Sequence, residues 1–447
     1  MSRRYFGTDG VRARVGEGAM TPDFVMRLGW AAGRVLGNGN GAPVLIGKDT
    51  RRSGYLFESA LEAGFAAAGV DVALLGPLPT PGVAYLTRAL GAAAGVVISA
   101  SHNPHEDNGV KFFSAAGDKL NDEIESAIEA MVDQPLVCVE PAKVGAAQRV
   151  SDAQARYADF CTESYVGPSL HGLQVVLDCA NGAAYQVAPQ VLARLGVRLS
   201  TIGVAPDGFN INLRCGSTHL EALQERVVSA GADLGIALDG DGDRCLMVDD
   251  KGQLVDGDQM LFLLARHRQT AKTLRGPVVG TLMSNLALEQ ALGALGIAFH
   301  RAKVGDRYVL ERLQSEGGEL GGENSGHLLC LDKNTTGDGL ISALQLLEVV
   351  RRSGRRLSQL AADIPLYPQV MVNIRAASDA AALCEDALVR QAVSEAEAAL
   401  GNSGRVLLRP SGTEPLIRVM VEAQDAAKAR MQADHIAAAV RQQAQAA

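Results

Sequence analysis

The run Asp239-Gly240-Asp241-Gly242-Asp243-Arg244 carries three carboxylates two residues apart, with only glycine between them. Side chains at i, i+2 and i+4 of an extended segment point the same way, so the spacing predicts three acids converging on one point. Alone they would repel, and some would take up protons. A hard divalent cation that prefers oxygen ligands, such as Mg²⁺, relieves the conflict. Arg244 beside such an ion suggests a phosphate held by both. An EF-hand loop needs glycine at its sixth position and helices on both sides. This run has Arg244 there, and residues 232–238 and 245–248 read as buried strands. The bland alternative is a solvated acidic turn.

Three more loops carry functional groups. Gly95-Val96-Val97-Ile98 reads as a strand leading into Ser99-Ala100-Ser101-His102-Asn103-Pro104, a sharp loop bearing hydroxyls. Serine is a poor nucleophile unless a base or cation activates it, and His102 and Lys111 are close in sequence. In Gly321-Gly322-Glu323-Asn324-Ser325-Gly326-His327, the polar side chains suit sugar hydroxyls, and Gly305, Asp306 and Arg307 could also reach a polar substrate. Both segments read equally as ordinary glycine-containing turns. In Arg409-Pro410-Ser411-Gly412-Thr413-Glu414-Pro415, with Arg418 just beyond, Ser411, Gly412 and Thr413 lie between two arginines. Two hydroxyls, a glycine N–H and two planar guanidinium groups make a phosphate cradle, against the alternative of a Pro/Gly turn with surface arginines.

The elements that position these loops repeat. A strand, a polar loop, a helix, a glycine and a second strand recur at 43–70, 175–197 and 278–297. That is the crossover unit of a mainly parallel sheet, with the glycine at a left-handed helix end. The last stretch differs: a strand at 370–374, helix over 379–400, a hairpin at 405–408 and 416–421, and a final helix. The chain therefore reads as an α/β protein of four domains. Three are related, with mainly parallel mixed sheets, at 1–150, 151–253 and 254–368. A smaller α+β domain follows at 369–447. Open parallel sheets bind ligands at the carboxyl ends of their strands, so four domains around a central cleft would gather the loops. A hydroxyl, a divalent cation, sugar contacts and a phosphate clamp together describe phosphoryl transfer on a phosphorylated sugar.

The bulk numbers bound the alternatives. Hydrophobic content of 47% and charged content of 21% suit a globular protein. A formal charge of −8 argues against nucleic-acid binding. No run of about 20 apolar residues could span a membrane, and the N-terminus lacks the apolar core of a signal peptide. The seven cysteines contain no CxxC, which fits a reducing cytoplasm.

With these motifs in hand, the chain resembles the alpha-D-phosphohexomutases over essentially its full length. Tyr5-Phe6-Gly7-Thr8-Asp9-Gly10-Val11-Arg12, Ile98 to Pro104 and Arg409 to Pro415 point to the branch acting on phosphorylated glucosamine. The resemblance implies a heart-shaped four-domain fold and interconversion of glucosamine 6-phosphate and glucosamine 1-phosphate through a bisphosphate. It implies that Ser101 is carried as phosphoserine. Asp239, Asp241 and Asp243 would bind Mg²⁺ with an oxygen of that phosphate. Glu323, Ser325 and His327 would contact the sugar. Arg409, Ser411, Gly412, Thr413 and Arg418 would hold the non-reacting phosphate, with Arg12 as a further phosphate contact. His102, Gly305, Asp306 and Arg307 join the substrate contacts. On physical grounds Arg244, with the ion, would offset the charge of phosphate and acids and polarise the transferring group, and Lys111 would be a general acid/base or charge stabiliser for the Ser101 oxygen. A sugar 1,6-bisphosphate primer, a homodimer and a place in UDP-N-acetylglucosamine synthesis follow from the same resemblance. Ala13 stands where the opening motif has glycine, which bears on the shape of that turn and on Arg12. The competing functions are a glucose or mannose phosphate mutase, a Mg²⁺-dependent phosphatase and a sugar-phosphate sensor.

Overall fold

Strands covered on both faces read as unbroken apolar runs, and the runs at Val44–Lys48, Ala94–Ile98 and Leu234–Leu238 are buried at every position. In the computed structural model the first two are paired neighbours in the middle of one sheet, and the third is the central strand of a second. The structure describes residues 4–7, 9–37, 41–375, 380–410 and 416–446.

The first sheet has six strands in the order Val11–Arg14, Asp107–Ser114, Ala94–Ile98, Val44–Lys48, Val72–Pro77, Ala147–Arg149. The last four run parallel, and the first two add antiparallel. The second sheet has five strands, in the order Leu254–Val255, Cys245–Asp249, Leu234–Leu238, Gln174–Asp178, Arg198–Ile202. The third has four, Phe299–Ala302, Val278–Thr281, Leu320–Gly322 and Leu328–Cys330. Each holds one of the expected crossovers, as the parallel pairs 44–48/72–77, 174–178/198–202 and 278–281/299–302. The glycines that end the intervening helices, Gly69, Gly196 and Gly296, all have positive φ.

The chain divides into two compact units, Met1–Thr281 with Ile297–Ala362, and Leu282–Gly296 with Asp363–Ala447. The first three sheets lie in the first unit. The second unit holds an antiparallel three-stranded sheet, ordered Gln369–Arg375, Leu416–Ala423, Gly404–Pro410. Its apolar face packs on the helices Ala387–Leu400 and Ala426–Ala446 through Ile417, Val419, Val421, Val389 and Ile436. One continuous helix over 379–400 is not what forms. Helices Ala380–Cys384 and Ala387–Leu400 are separate, because the Asp386 side chain accepts from the N–H groups of Leu388 and Val389 and starts a new helix. The second unit also ties in the segment before the helix Leu286–Ala294. The buried Glu422 accepts from Leu286 N at 2.7 Å and Arg405 Nε at 2.5 Å, while Arg405 donates to the carbonyls of Leu282 and Ser284. Among the described residues no helix is long and apolar enough to cross a membrane.

Candidate active site

Ser101 follows the strand Ala94–Ile98 at its carboxyl end, buried, with φ of 51°. A non-glycine residue in this left-handed region costs about 1–3 kcal/mol and persists only where its surroundings dictate it. Here they do. Ser101 N donates to Ser99 Oγ at 2.9 Å, and Ser99 Oγ donates to Asp49 Oδ2 at 2.6 Å. Arg51, fully buried, pairs with Asp49 at 2.8 Å and donates to the carbonyls of Ser101, Asn103 and Asp107. The Ser101 hydroxyl thereby reaches Asp239 Oδ2, to which it donates at 2.6 Å.

Asp239, Asp241 and Asp243 do converge, but not through an extended segment. Leu238 and Cys245 are register partners of antiparallel strands, so residues 239–244 must reverse the chain. Gly242, with φ of 71°, donates to the Asp239 carbonyl at 3.1 Å and makes that turn possible. Gly240 serves close approach instead, since a Cβ there would meet the Ser101 carbonyl at 2.5 Å.

All three acids are buried, with carboxylate oxygens within 4.8 Å of one another. At an effective dielectric near 20, two such charges repel by about 3 kcal/mol. Burial, then Asp243 and Asp241, push the Asp239 carboxyl well above its usual range. Asp239 Oδ1 accepts from Arg244 N at 3.1 Å and Asp241 Oδ2 from Thr80 Oγ1 at 2.6 Å. Asp241 Oδ1 and Asp243 Oδ1 are buried and accept no hydrogen bond among the described residues. Two buried carboxylate oxygens that accept no hydrogen bond, within a cluster of three acids, are the donor chemistry of a hard divalent cation, so the residues present fit Mg²⁺.

Cations surround the cluster. Lys111, buried on the strand Asp107–Ser114, puts Nζ 2.8 Å from Asp241 Oδ2, 2.8 Å from Asp9 Oδ2 and 3.4 Å from Asp243 Oδ2. Burial opposes its charge, but Asp241, Asp9 and Asp243 overcome it, so the ammonium stays protonated above its usual range. Asp9 also binds Lys119 at 2.6 Å and pairs with Arg12. His102 Nδ1 lies 3.3 Å from Ser101 Oγ. Burial, with Arg244 and Arg12, lowers the His102 ring to about 4, leaving a neutral imidazole.

The glycine-rich loop divides its expected contacts. Glu323 Oε1 accepts from Gly305 N at 2.9 Å, and Ser325 Oγ lies 3.4 Å from Glu323 Oε2. His327 is buried between carboxylates, with Nδ1 3.6 Å from Asp243 and Nε2 3.3 Å from Asp306. Burial works against its charge, and Asp243 and Asp306 outweigh it, raising the ring to about 9. His327 is thus a cation bridging two acids. Asp306 also binds Lys119 at 2.6 Å. Arg307 points elsewhere: its guanidinium holds Glu125 at 2.5 Å and Asp122 at 2.6 Å on the helix Asp122–Val132.

In the second unit Arg409 and Arg418 are register partners across the hairpin. Ser411, Gly412 and Thr413, between them, lie outside the described residues. Asp9, Asp49, Arg51, Thr80, Lys119 and Asn212 were not singled out in the sequence. For Asp49 and Arg51 a signal existed, because Lys48-Asp49-Thr50-Arg51 is a charged loop at the carboxyl end of a buried strand.

Family models of phosphoglucomutase/phosphomannomutase match in order: alpha/beta/alpha domain I at 3–136, domain II at 155–252, domain III at 256–367 and the C-terminal domain at 371–439. A phosphoglucosamine mutase of Alkalilimnicola ehrlichii is 58% identical over 443 residues, covering 99% of this chain and 98% of the relative. That of Nitrosococcus oceani is 56% identical over 440 residues, covering 98% and 97%. A phosphoglucomutase/phosphomannomutase family protein from Burkholderia thailandensis superposes with a TM-score of 0.81 at 24% identity, covering 98% of this chain and 97% of that one. An N-acetylphosphoglucosamine mutase of Aspergillus fumigatus, in complex with GlcNAc-6P and magnesium, superposes with a TM-score of 0.70 at 18% identity, covering 99% and 96%. The order of the four domain matches and the full-length identity agree, and the chain belongs to the phosphoglucomutase/phosphomannomutase family of enzymes.

Proposed function

We propose that this protein interconverts glucosamine 6-phosphate and glucosamine 1-phosphate, with Ser101 as the phosphoryl carrier. The carrying observation is the Ser101 hydroxyl, in a left-handed turn, 2.6 Å from one of three clustered acids. The printed name of the relatives supports the amino sugar. The phosphoryl group of phosphoserine 101 passes to the free hydroxyl of the bound monophosphate: the Ser101 O–P bond breaks as the new P–O bond forms, and the proton lost by the sugar hydroxyl is balanced by one taken up on the Ser101 oxygen. The products are serine and glucosamine 1,6-bisphosphate. The bisphosphate turns over in the site, and its other phosphoryl group returns to Ser101, leaving the isomeric monophosphate. A 1,6-bisphosphate primer recharges any enzyme that has lost its phosphate.

Asp239, Asp241 and Asp243, with an oxygen on Ser101, would hold Mg²⁺. When bound, the ion supplies positive charge against the transferring phosphoryl group. Lys111 and Arg244 contribute fixed positive charge, and Lys111 acts as a charge stabiliser because its acids keep it protonated. Neutral His102 and Arg12 face the reacting phosphate. Glu323 and Ser325 bind sugar hydroxyls. His327, Gly305 and Asp306 hold that loop against the acidic turn, with Arg307 behind them. Arg409, Ser411, Gly412, Thr413 and Arg418 clamp the non-reacting phosphate. The product feeds UDP-N-acetylglucosamine and peptidoglycan precursor synthesis in the cytoplasm, and the enzyme works as a homodimer.

Ser101→Ala tests the carrier. It should lack the phosphate that intact mass detects on the wild type and should lose mutase turnover; substantial turnover would sink the proposal. Specificity constants on glucosamine, glucose and mannose phosphates should rank glucosamine first.

A further inference from the structure

Ser101 adopts a conformation that its own side chain disfavours, so something outside its loop must hold it. Its carbonyl accepts from Arg51 Nη2 at 3.0 Å and from Asn212 Nδ2 at 2.9 Å. The same two donors reach the Asn103 carbonyl, at 2.8 Å and 3.0 Å. Arg51 belongs to the first sheet's loops, whereas Asn212 lies in the long connection of the second, 111 residues from Ser101.

Asn212 is built to make this contact. It is buried and has φ of 58°, a region asparagine tolerates better than other non-glycine residues. Its N–H donates to the Ala180 carbonyl at 2.9 Å, and Ala180 N donates in turn to the buried Asp178 at 2.8 Å. A Cβ on Gly240 would stand 2.8 Å from Asn212 Nδ2 as well as 2.5 Å from the Ser101 carbonyl. The amide of Asn212 therefore fills the space directly beside the acidic turn. With Ser99 Oγ accepting from the Ser101 N–H on one side and Arg51 and Asn212 both donating to its carbonyl on the other, the Ser101 backbone is held from both ends, and Asn212 supplies the hold that comes from the second sheet.

We infer that Asn212 is a positioning residue for phosphoryl transfer: its side-chain amide, reaching across from the second sheet, holds Ser101 in the orientation that faces Asp239. This deepens the proposed function and rests on Ser101 being the carrier. The hydrogen bonds of the Asn212 amide among the described residues go to the carbonyls of Ser101 and Asn103, so its loss should act on the chemical step and not on substrate capture.

Asn212→Gly is the discriminating variant. Glycine accepts positive φ more readily than asparagine, so a purely backbone role predicts an unimpaired enzyme. The inference predicts that kcat falls roughly 100-fold with KM within a factor of two and thermal midpoint unchanged. Asn212→Asp, with the same size but no donors, should lose kcat likewise. Wild-type kcat in either variant overturns the inference. A crystal structure of Asn212→Gly gives a reading independent of turnover: Ser101 Oγ should leave hydrogen-bonding distance of Asp239. Retention of that contact overturns the inference even if the wild type lacks mutase activity, whereas an inactive wild type with a displaced hydroxyl in the variant counts against the proposed function alone.

Discussion

Arg409 and Arg418 face each other as register partners across the hairpin formed by Gly404–Pro410 and Leu416–Ala423. Like charges directly opposite on a sheet destabilise it. Burial, and then Arg418, lower the Arg409 pKa from its usual value. A bound dianion reverses that repulsion. Arg409→Ala or Arg418→Ala should raise KM for the sugar phosphate about tenfold or more, as expected for loss of one or two charged hydrogen bonds. Steady-state kinetics on each variant check this; an unchanged KM in both removes the clamp from this hairpin.

The acidic turn predicts a stability that depends on a divalent ion. A ligand present at about 100 times its Kd adds about 2.7 kcal/mol. Mg²⁺ should raise the thermal midpoint of the wild type, and chelation should lower it again. Asp241→Asn removes one charge from the cluster and should abolish most of the Mg²⁺ response. Phosphorylated protein should bind Mg²⁺ more tightly than the dephosphorylated form, since the phosphate adds oxygen ligands and about −1.5 to −2 charges. Calorimetry on both forms measures the difference, and equal affinities would count against a shared site.

Arg307 serves packing between the helices Asp306–Glu316 and Asp122–Val132. Arg307→Ala removes the guanidinium that pairs with the buried Glu125, and breaking such a pair costs about 3–5 kcal/mol. Denaturant unfolding should register that loss. Below the unfolding range KM should stay within a few-fold of wild type. A large rise in KM with unchanged stability would make Arg307 a substrate contact after all.

Asp338 links stability to pH. Its Oδ2 accepts from Tyr157 OH at 2.9 Å and Asn334 at 3.1 Å, and its Oδ1 from Ile341 N at 3.0 Å. Burial outweighs these bonds and raises its pKa to about 6. A raised carboxyl pKa means the folded state binds the proton more tightly than the unfolded one. Its contribution is therefore full below about pH 4 and is lost as pH rises through about 6, by up to about 3 kcal/mol. Asp338→Asn removes that dependence. The difference in stability between the two proteins, measured at pH 4.5 and 7.5, should move in favour of the variant as pH rises. A constant difference would contradict the raised pKa.

Several features were legible in the linear chain because they are local. Alternation of apolar runs, the polar loops that interrupt them and the glycines Gly69, Gly196 and Gly296 mark each crossover through interactions within about one helix length. The acids of the turn and the loop serine were legible for the same reason, as chemistry concentrated where strands end. Asp386 shows the limit of even local reading, since composition favours helix on both sides and a single side-chain cap divides it.

Other features could not be read from the linear chain. The three acids meet through a reversal at Gly242, which follows from the pairing of Leu238 with Cys245 and not from their spacing. Thr80 reaches Asp241 across 161 residues, and Asn212 reaches Ser101 across 111. Arg307, next to Asp306 in sequence, points to another helix because burying Glu125 demands a partner. Residue types and local spacing thus determined which groups the protein brings to phosphoryl chemistry. Their orientation, protonation and support were decided by tertiary structure, because burial and long-range partners set the energy of a charge or a strained turn, and neither exists until the sheets have assembled.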